Sequence, residues 1–220
     1  MLSSEISAKI AQSLLECEAV KLNVENPFTW TSGMRSPVYC DNRVTLSFPN
    51  IRKYITQSLS DVIRQEFAQA EAVVGVATAG IPQGALIADE LNLPFAYVRA
   101  EAKKHGLKNA IEGKLNTGAK VVVVEDLIST GKSSLKAVED LRESGIEVIG
   151  LVSIFNYGFG STVDKFKEAA CPYISLCDFK TLATEAAKIN YISEEALVKV
   201  SEWNKDAQAW SDAFLATNAN

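Results

Sequence analysis

Val121-Val122-Val123-Val124-Glu125-Asp126-Leu127-Ile128-Ser129-Thr130-Gly131-Lys132-Ser133-Ser134 is the stretch that decides the fold. Four consecutive valines have no polar face, so they suit a strand covered on both sides, as in a parallel sheet between helices. Two carboxylates follow at the C-terminal end of that strand, where open α/β sheets bind ligands. A turn of Ser129, Thr130 and Gly131 comes next, then a helical stretch to about Ser144. Small residues let backbone N–H groups approach an anion, and a helix N-terminus favours negative charge. The hydroxyls of Ser129, Thr130 and Ser133 add donors. The stretch reads as a phosphate cradle beside two acids that suit sugar hydroxyls, directly or through a divalent metal. The plainer alternative is a strand that ends in ordinary capping residues. A Walker loop is excluded, because the glycine it needs five positions before Gly131 is Asp126.

Further short apolar runs lie on either side, at Ala72 to Ala77, Phe95 to Arg99 and Glu147 to Phe155. The first is followed by a second glycine loop, GVATAGIPQG at 75–84, and a helical stretch to Leu91. Strands alternating with helices imply βαβ units, right-handed crossovers and a mainly parallel sheet. Upstream, Ile6, Ile10 and Leu14 recur at helical spacing, with Ser3 or Ser4 as cap. Residues 26–43 hold Pro27, Gly33 and Pro37 among aromatics and read as loop with short extended pieces. A second helix is expected from Pro49 to about Ala68, with Ile51, Ile55, Leu59, Ile63 and Phe67 on one stripe. The last forty residues read as helical, with Trp203 and Trp210 seven apart on one face as packing residues.

Between two of the strands, residues 99–114 carry no helical apolar stripe. They hold five cations against two carboxylates in a chain whose net charge is −5. A long basic loop with glycines suits a lid over a diphosphate, where it would stabilise charge as the leaving group departs. The alternative is a solvated loop. His105, the single histidine, lies in it and is either functional or an incidental surface residue.

Composition sets the outer bounds. At 220 residues and 47% hydrophobic content, the chain can bury a sizeable core as one domain. Its acidic balance argues against general nucleic-acid binding. Cys17, Cys40, Cys171 and Cys177 form no C-x-x-C pair, so reduced thiols are expected, with no protein zinc site and no disulfide framework. The N-terminus is charged throughout and does not read as a signal peptide. No apolar stretch is long enough to span a membrane, and the expectation is a cytoplasmic protein.

Three motifs in order carry a family resemblance over nearly the whole chain. VVVVEDLISTGKS, from Val121, resembles the phosphoribosyl-diphosphate motif of type I phosphoribosyltransferases. RAEAKKHG at 99–106 resembles the catalytic loop of their orotate-specific members, and FTWTSGMRSPVYCDNR at 28–43 their orotate-binding region. The bacterial subgroup with CDNR and EDLISTG is the most similar. The resemblance implies an α/β fold with a mainly parallel five-stranded sheet, flanking helices and a small N-terminal hood. The hood would cover about residues 1–45, and a helical C-terminal segment about 178–212. The implied activity is transfer of ribose 5-phosphate from 5-phospho-α-D-ribose 1-diphosphate to orotate, in pyrimidine biosynthesis, by a magnesium-using homodimer with shared active sites.

By the same resemblance, Glu125 and Asp126 hold the ribose hydroxyls, with Asp126 catalytic. Leu127, Ile128, Ser129, Thr130, Gly131, Lys132 and Ser133 wrap the 5-phosphate. Lys103 and His105 are catalytic in the closing loop and, with Arg99 and Lys104, reach the diphosphate of the neighbouring subunit. Ser129 is also where a hydroxyl contacts orotate. The chain departs from the better-known pattern at Thr31, Ala79 and Ala100, each in place of a lysine, and near Asn156 and Tyr157 in place of an arginine that grips orotate. Recognition of the orotate carboxylate must then come from elsewhere. Arg43, with Tyr39 as a stacking partner, is the candidate. An ion pair of Arg43 with Asp41 is the competing account, and Arg35 the second candidate. A purine or xanthine phosphoribosyltransferase, and a regulatory protein that binds the diphosphate as a signal, are the other functional readings. The hood motifs speak against the first, and the absence of a DNA-binding domain or basic RNA surface speaks against the second.

Overall fold

The computed structural model describes residues 3–99 and 110–217. Helix α1 (Ser4–Glu16) starts on Ser3, whose hydroxyl oxygen accepts from the Ile6 N–H at 3.2 Å. Four short strands follow: β1 (Val20–Leu22), β2 (Phe28–Thr29), β3 (Arg35–Ser36) and β4 (Val38–Cys40). They form two small antiparallel pairs, β1 with β4 and β2 with β3. A 3-10 helix, Asn42–Ser47, is capped by Asp41 and leads into α2 (Pro49–Glu66). Pro49 opens α2, where its missing N–H costs nothing.

The alternating part comprises β5 (Ala72–Val76), α3 (Gly80–Leu91), β6 (Phe95–Val98), β7 (Ile111–Glu112), β8 (Lys120–Ile128), α4 (Lys132–Glu143), β9 (Glu147–Asn156), α5 (Gly160–Glu168) and β10 (Tyr173–Asp178). Helices α6 (Phe179–Lys188), α7 (Glu194–Lys205) and α8 (Ala207–Thr217) complete the chain. The main sheet has six strands in the order β10-β9-β8-β5-β6-β7. Five are parallel, as expected. The sixth, β7, is a two-residue strand that pairs antiparallel with β6. Among the parallel strands the order reverses between β5 and β8, so the crevice outside their C-terminal ends is the topological switch point.

The valines show why β8 sits at the centre. Val122 and Val124 pack into the core shared with α1, α2 and α6, while Val121 and Val123 pack into the core shared with α4 and α5. All four are fully buried. Each contributes about 1.5–3 kcal/mol relative to exposure, so the run holds the strand against both layers.

The C-terminal region is helical but not one continuous face. Asp206 breaks it, with φ −149°, and its carboxylate accepts from the Ala209 N–H at 3.0 Å at the start of α8. Trp203 therefore belongs to α7 and Trp210 to α8. Trp203 is fully buried against Trp30, Tyr157, Phe159 and Phe179, whereas Trp210 stacks on Phe214. Both pack, but a polar cap separates their helices where a single apolar stripe is expected.

Candidate active site

A cleft of about 750 Å³ opens at the switch point. Its floor is the end of β8, one wall is the loop into α3, the other is the loop into α4, and residues after β4 form the roof. The glycine loop after β5 packs against β8 with no room to spare: a Cβ built on Gly80 would meet the Val124 carbonyl oxygen. Thr78 and Ala79 line the cleft, and the Ala77–Thr78 peptide is cis. No side chain caps the start of α3.

The second loop is built the same way. Gly131 takes φ +73°, a conformation that favours glycine, and an added Cβ would come within 2.8 Å of the Phe166 ring. The Ser129 carbonyl is held by the Thr162 hydroxyl at 2.8 Å. Helix α4 begins at Lys132 without a side-chain cap. Its first N–H groups are therefore left for an anion at the positive end of the helix. Leu127, Ser129, Thr130, Gly131, Lys132 and Ser133 all line the cleft. Ile128 does not: it is buried in the core.

Glu125 and Asp126 lie side by side on the cleft floor. Ser134 donates its hydroxyl to Glu125 Oε2 at 3.2 Å, and the Asp126 N–H donates to Glu125 Oε1 at 3.2 Å. Burial first, then the neighbouring Asp126 charge, push the Glu125 carboxyl up to about 9. Burial also raises Asp126, although hydrogen bonds and the Arg43 charge act against it. A buried carboxyl beside a half-buried one calls for partners that favour the ionised form, such as hydroxyl donors or a cation.

The roof is formed by the CDNR segment. Arg43 lines the cleft, and its Nε and Nη2 donate to the two carboxylate oxygens of Asp41 at 2.7 and 2.8 Å. The ion pair expected as one of the two accounts is thus present. Tyr39 is half exposed and packs on Phe28 with ring centroids 5.7 Å apart, outside the cleft wall. Arg35 is directed elsewhere, with Nη1 on Thr29 Oγ1 at 2.5 Å and its guanidinium over Phe214. Tyr157 is buried and stacks on Phe159 at 5.4 Å with an interplanar angle of 10°.

Arg99 lines the cleft and pairs with Glu112 at 3.5 Å. Its N–H donates to the Ala110 carbonyl at 2.8 Å. Lys103, Lys104 and His105 fall within segment 100–109, outside the described residues. Four participants carry no signal of their own in the sequence. Lys136 and Asp140, one turn apart on α4, line the cleft and pair at 2.9 Å. Ser134 belongs to the motif, nine residues from Glu125, and its hydroxyl reaches that carboxyl. Asn42 donates Nδ2 to the Asp126 carbonyl at 2.7 Å, a contact between distant parts of the chain.

Comparison with known proteins agrees with this geometry. Residues 46–181 match the family model described as a phosphoribosyl transferase domain. Orotate phosphoribosyltransferase of Phocaeicola vulgatus is 52% identical over 200 residues, 91% of this chain and 94% of that protein. The enzyme of the same name from Cytophaga hutchinsonii is 52% identical over 202 residues, 92% of this chain and 97% of that one. The crystal structure of orotate phosphoribosyltransferase from Aeropyrum pernix superposes with a TM-score of 0.72 at 33% identity, covering 84% of this chain and 99% of that one. Phosphate loop, acidic floor and extent of similarity together show that the chain belongs to the orotate phosphoribosyltransferase family.

Proposed function

We propose that the cleft between β5 and β8 is where this chain transfers ribose 5-phosphate from 5-phospho-α-D-ribose 1-diphosphate to orotate, giving orotidine 5′-phosphate and diphosphate in de novo pyrimidine (UMP) biosynthesis. The observation that carries this reading is the meeting, in one cleft, of an uncapped helix N-terminus, the adjacent carboxyls of Glu125 and Asp126, and the cation Arg43. The 127–133 loop and the first turn of α4 bind the 5-phosphate through backbone N–H groups and hydroxyls. Glu125 and Asp126 hold the ribose hydroxyls. Once hydroxyl donors or a cation draw the pair into its ionised form, its negative charge offsets positive charge that grows on the sugar ring as the C1–diphosphate bond breaks and a ring nitrogen of orotate attacks. Residues 1–45 act as a hood that brings Arg43 to the base side of the cleft, where the Ser129 hydroxyl contacts orotate; Tyr39, outside the cleft wall, has no part in that contact. Residues 178–212 support that hood from the C-terminal side.

A magnesium ion fits this floor. Among the described residues no three His, Cys, Asp or Glu side chains cluster as a metal-binding group. Two carboxylates with raised affinity for protons suit a hard cation that takes its remaining ligands from water and phosphates. When bound, the ion supplies charge neutralisation for the departing diphosphate. The segment with Lys103, Lys104 and His105, rooted at Arg99, acts as a basic lid on the diphosphate in the partner site of a homodimer. No helix among the described residues is long and apolar enough to cross a membrane.

The test is a kinetic assay with orotate and the sugar diphosphate, run beside adenine and xanthine. Turnover confined to orotate supports the reading, and turnover of a purine instead rejects it. Mixing Lys103→Ala with Asp126→Asn subunits restores one intact site per heterodimer if the lid acts across the interface. No recovered activity after verified subunit exchange counts against that arrangement.

A further inference from the structure

We propose that Asn42 is a positioning residue, whose side-chain amide replaces β5 as the neighbour of β8 and so sets the place of the Glu125–Asp126 pair. The inference rests on the reading of that pair as the sugar site. The pairing of β5 with β8 ends at Gly75 and Val124, and the chain then leaves for α3. Beyond Val124, β8 continues alone on that side, carrying the two carboxylates. Asp126 lies two residues past the last β5 partner. Its carbonyl, a part-buried acceptor, receives Asn42 Nδ2 at 2.7 Å, against roughly 2.9–3.0 Å for most such bonds. The acceptor is a carbonyl oxygen, so only the NH₂ end of the amide can face it.

Three features show that the amide is committed to this contact. Asn42 is 1% exposed, although both neighbours in sequence, Asp41 and Arg43, line the cleft. Its own carbonyl is fixed by the Thr45 hydroxyl at 2.6 Å, inside the 3-10 helix that Asp41 caps. Its Oδ1 is buried without a hydrogen-bond partner, so the residue retains a polar group at a cost for the sake of the other end. The bond spans 84 positions of chain and joins the segment bearing Arg43 to the strand end bearing Asp126. It thereby fixes the distance between the base side and the sugar side of the cleft. Asn42 itself does not line the cleft and acts through Asp126.

The experiment is a double-variant cycle of Asn42→Ala and Asp126→Asn, with kcat and both substrate KM values measured on protein checked for folding by thermal melting. Asn42→Ala is expected to lower kcat at least about tenfold while KM for the sugar diphosphate stays within about twofold, the mark of an interaction that matters in the transition state. In the double variant the loss should be close to that of Asp126→Asn alone, because both act through one group. Asn42→Ser, which keeps a small donor, should lose less than Asn42→Ala, and it carries the same cycle if the alanine variant does not fold. A parental kcat in the variant, with or without a lower melting temperature, overturns the proposal, as do losses that multiply in the double variant. A parental kcat in Asp126→Asn overturns the sugar-site reading and the proposal with it. A loss in Asp126→Asn alone leaves that reading standing and rejects only the role of Asn42.

Discussion

The backbone N–H of Arg35 donates to Ser211 Oγ at 2.9 Å, across 176 positions of the chain. The Arg35 guanidinium also lies 5.5 Å from the Phe214 ring centroid, and both partners belong to α8. One helix further in, Trp203 meets Trp30 edge-on at 6.0 Å, and Asn204 donates Nδ2 to the Tyr157 carbonyl at 2.7 Å. The C-terminal helices thus clamp the β2–β3 hairpin and the end of β9. Ending the chain after Lys205 removes α8 and leaves the phosphate loop intact. The expected result is a lower melting temperature and a several-fold higher KM for orotate, with the sugar-diphosphate KM within about twofold. A truncated enzyme with parental KM for orotate refutes this coupling.

The Glu125 carboxyl gives a pH dependence of stability with a definite sign. Its folded value is pushed up to about 9, against 4.5 for the ordinary group. The folded protein therefore holds a proton that the unfolded chain releases, and stability falls as pH rises. The contribution is fully present below about 4.5 and is lost as pH rises towards 9. Melting curves of ligand-free, metal-free protein should therefore shift down through this window. Glu125→Gln, which has no proton to lose, should flatten the slope. An identical slope in the variant would show that other groups cause it.

Gly80 is the close contact that seats the first loop. An alanine Cβ there would meet the Val124 carbonyl oxygen, a backbone atom that cannot turn aside. Gly80→Ala should destabilise the protein by about 1–3 kcal/mol and lower kcat/KM for the sugar diphosphate. Gly160→Ala is the matched control: nothing lies within 4 Å of its added Cβ, and it sits at the start of α5. Its effect should stay within about 0.5 kcal/mol. Chemical denaturation of both variants checks the contrast.

The central strand and its two loops were readable because their signals are local. Val121 to Val124 are apolar without alternation, and Gly131 with its hydroxyl neighbours marks the turn into α4. Strand β7 was not readable, since two residues of intermediate burial carry no pattern. Strand β10 was hidden by its polar Ser175, which is satisfied by the Ser153 hydroxyl at 2.6 Å on the neighbouring strand. The family resemblance implies that an orotate-gripping arginine is replaced near Asn156 and Tyr157. It does not reveal what fills the place, because the aromatic cluster is assembled from residues 30, 155, 157, 159 and 203. Asn42 is silent for the same reason: its partner is far away in sequence.

Arg43 offers the last prediction. Its bidentate contact with Asp41 uses Nε and Nη2, and the side chain remains 62% exposed. A guanidinium has five N–H donors, so the ion pair leaves Nη1 to meet a second carboxylate. Asp41 then acts as an orienting partner, and the pair and the clamp are compatible. Arg35, the other candidate, is occupied by Thr29 and Phe214 and does not line the cleft. Arg43→Ala should raise KM for orotate at least about tenfold, equivalent to roughly 1.4 kcal/mol, while the sugar-diphosphate KM changes little. An exposed pair contributes only about 0–1 kcal/mol to stability, so the melting temperature should hardly move. Asp41→Asn, which keeps the cation but loosens its aim, should give a smaller rise in the same constant. Equal losses for both substrates with a lowered melting temperature would make the Arg43–Asp41 pair structural. An unchanged orotate KM would leave the carboxylate to backbone N–H donors in the cleft.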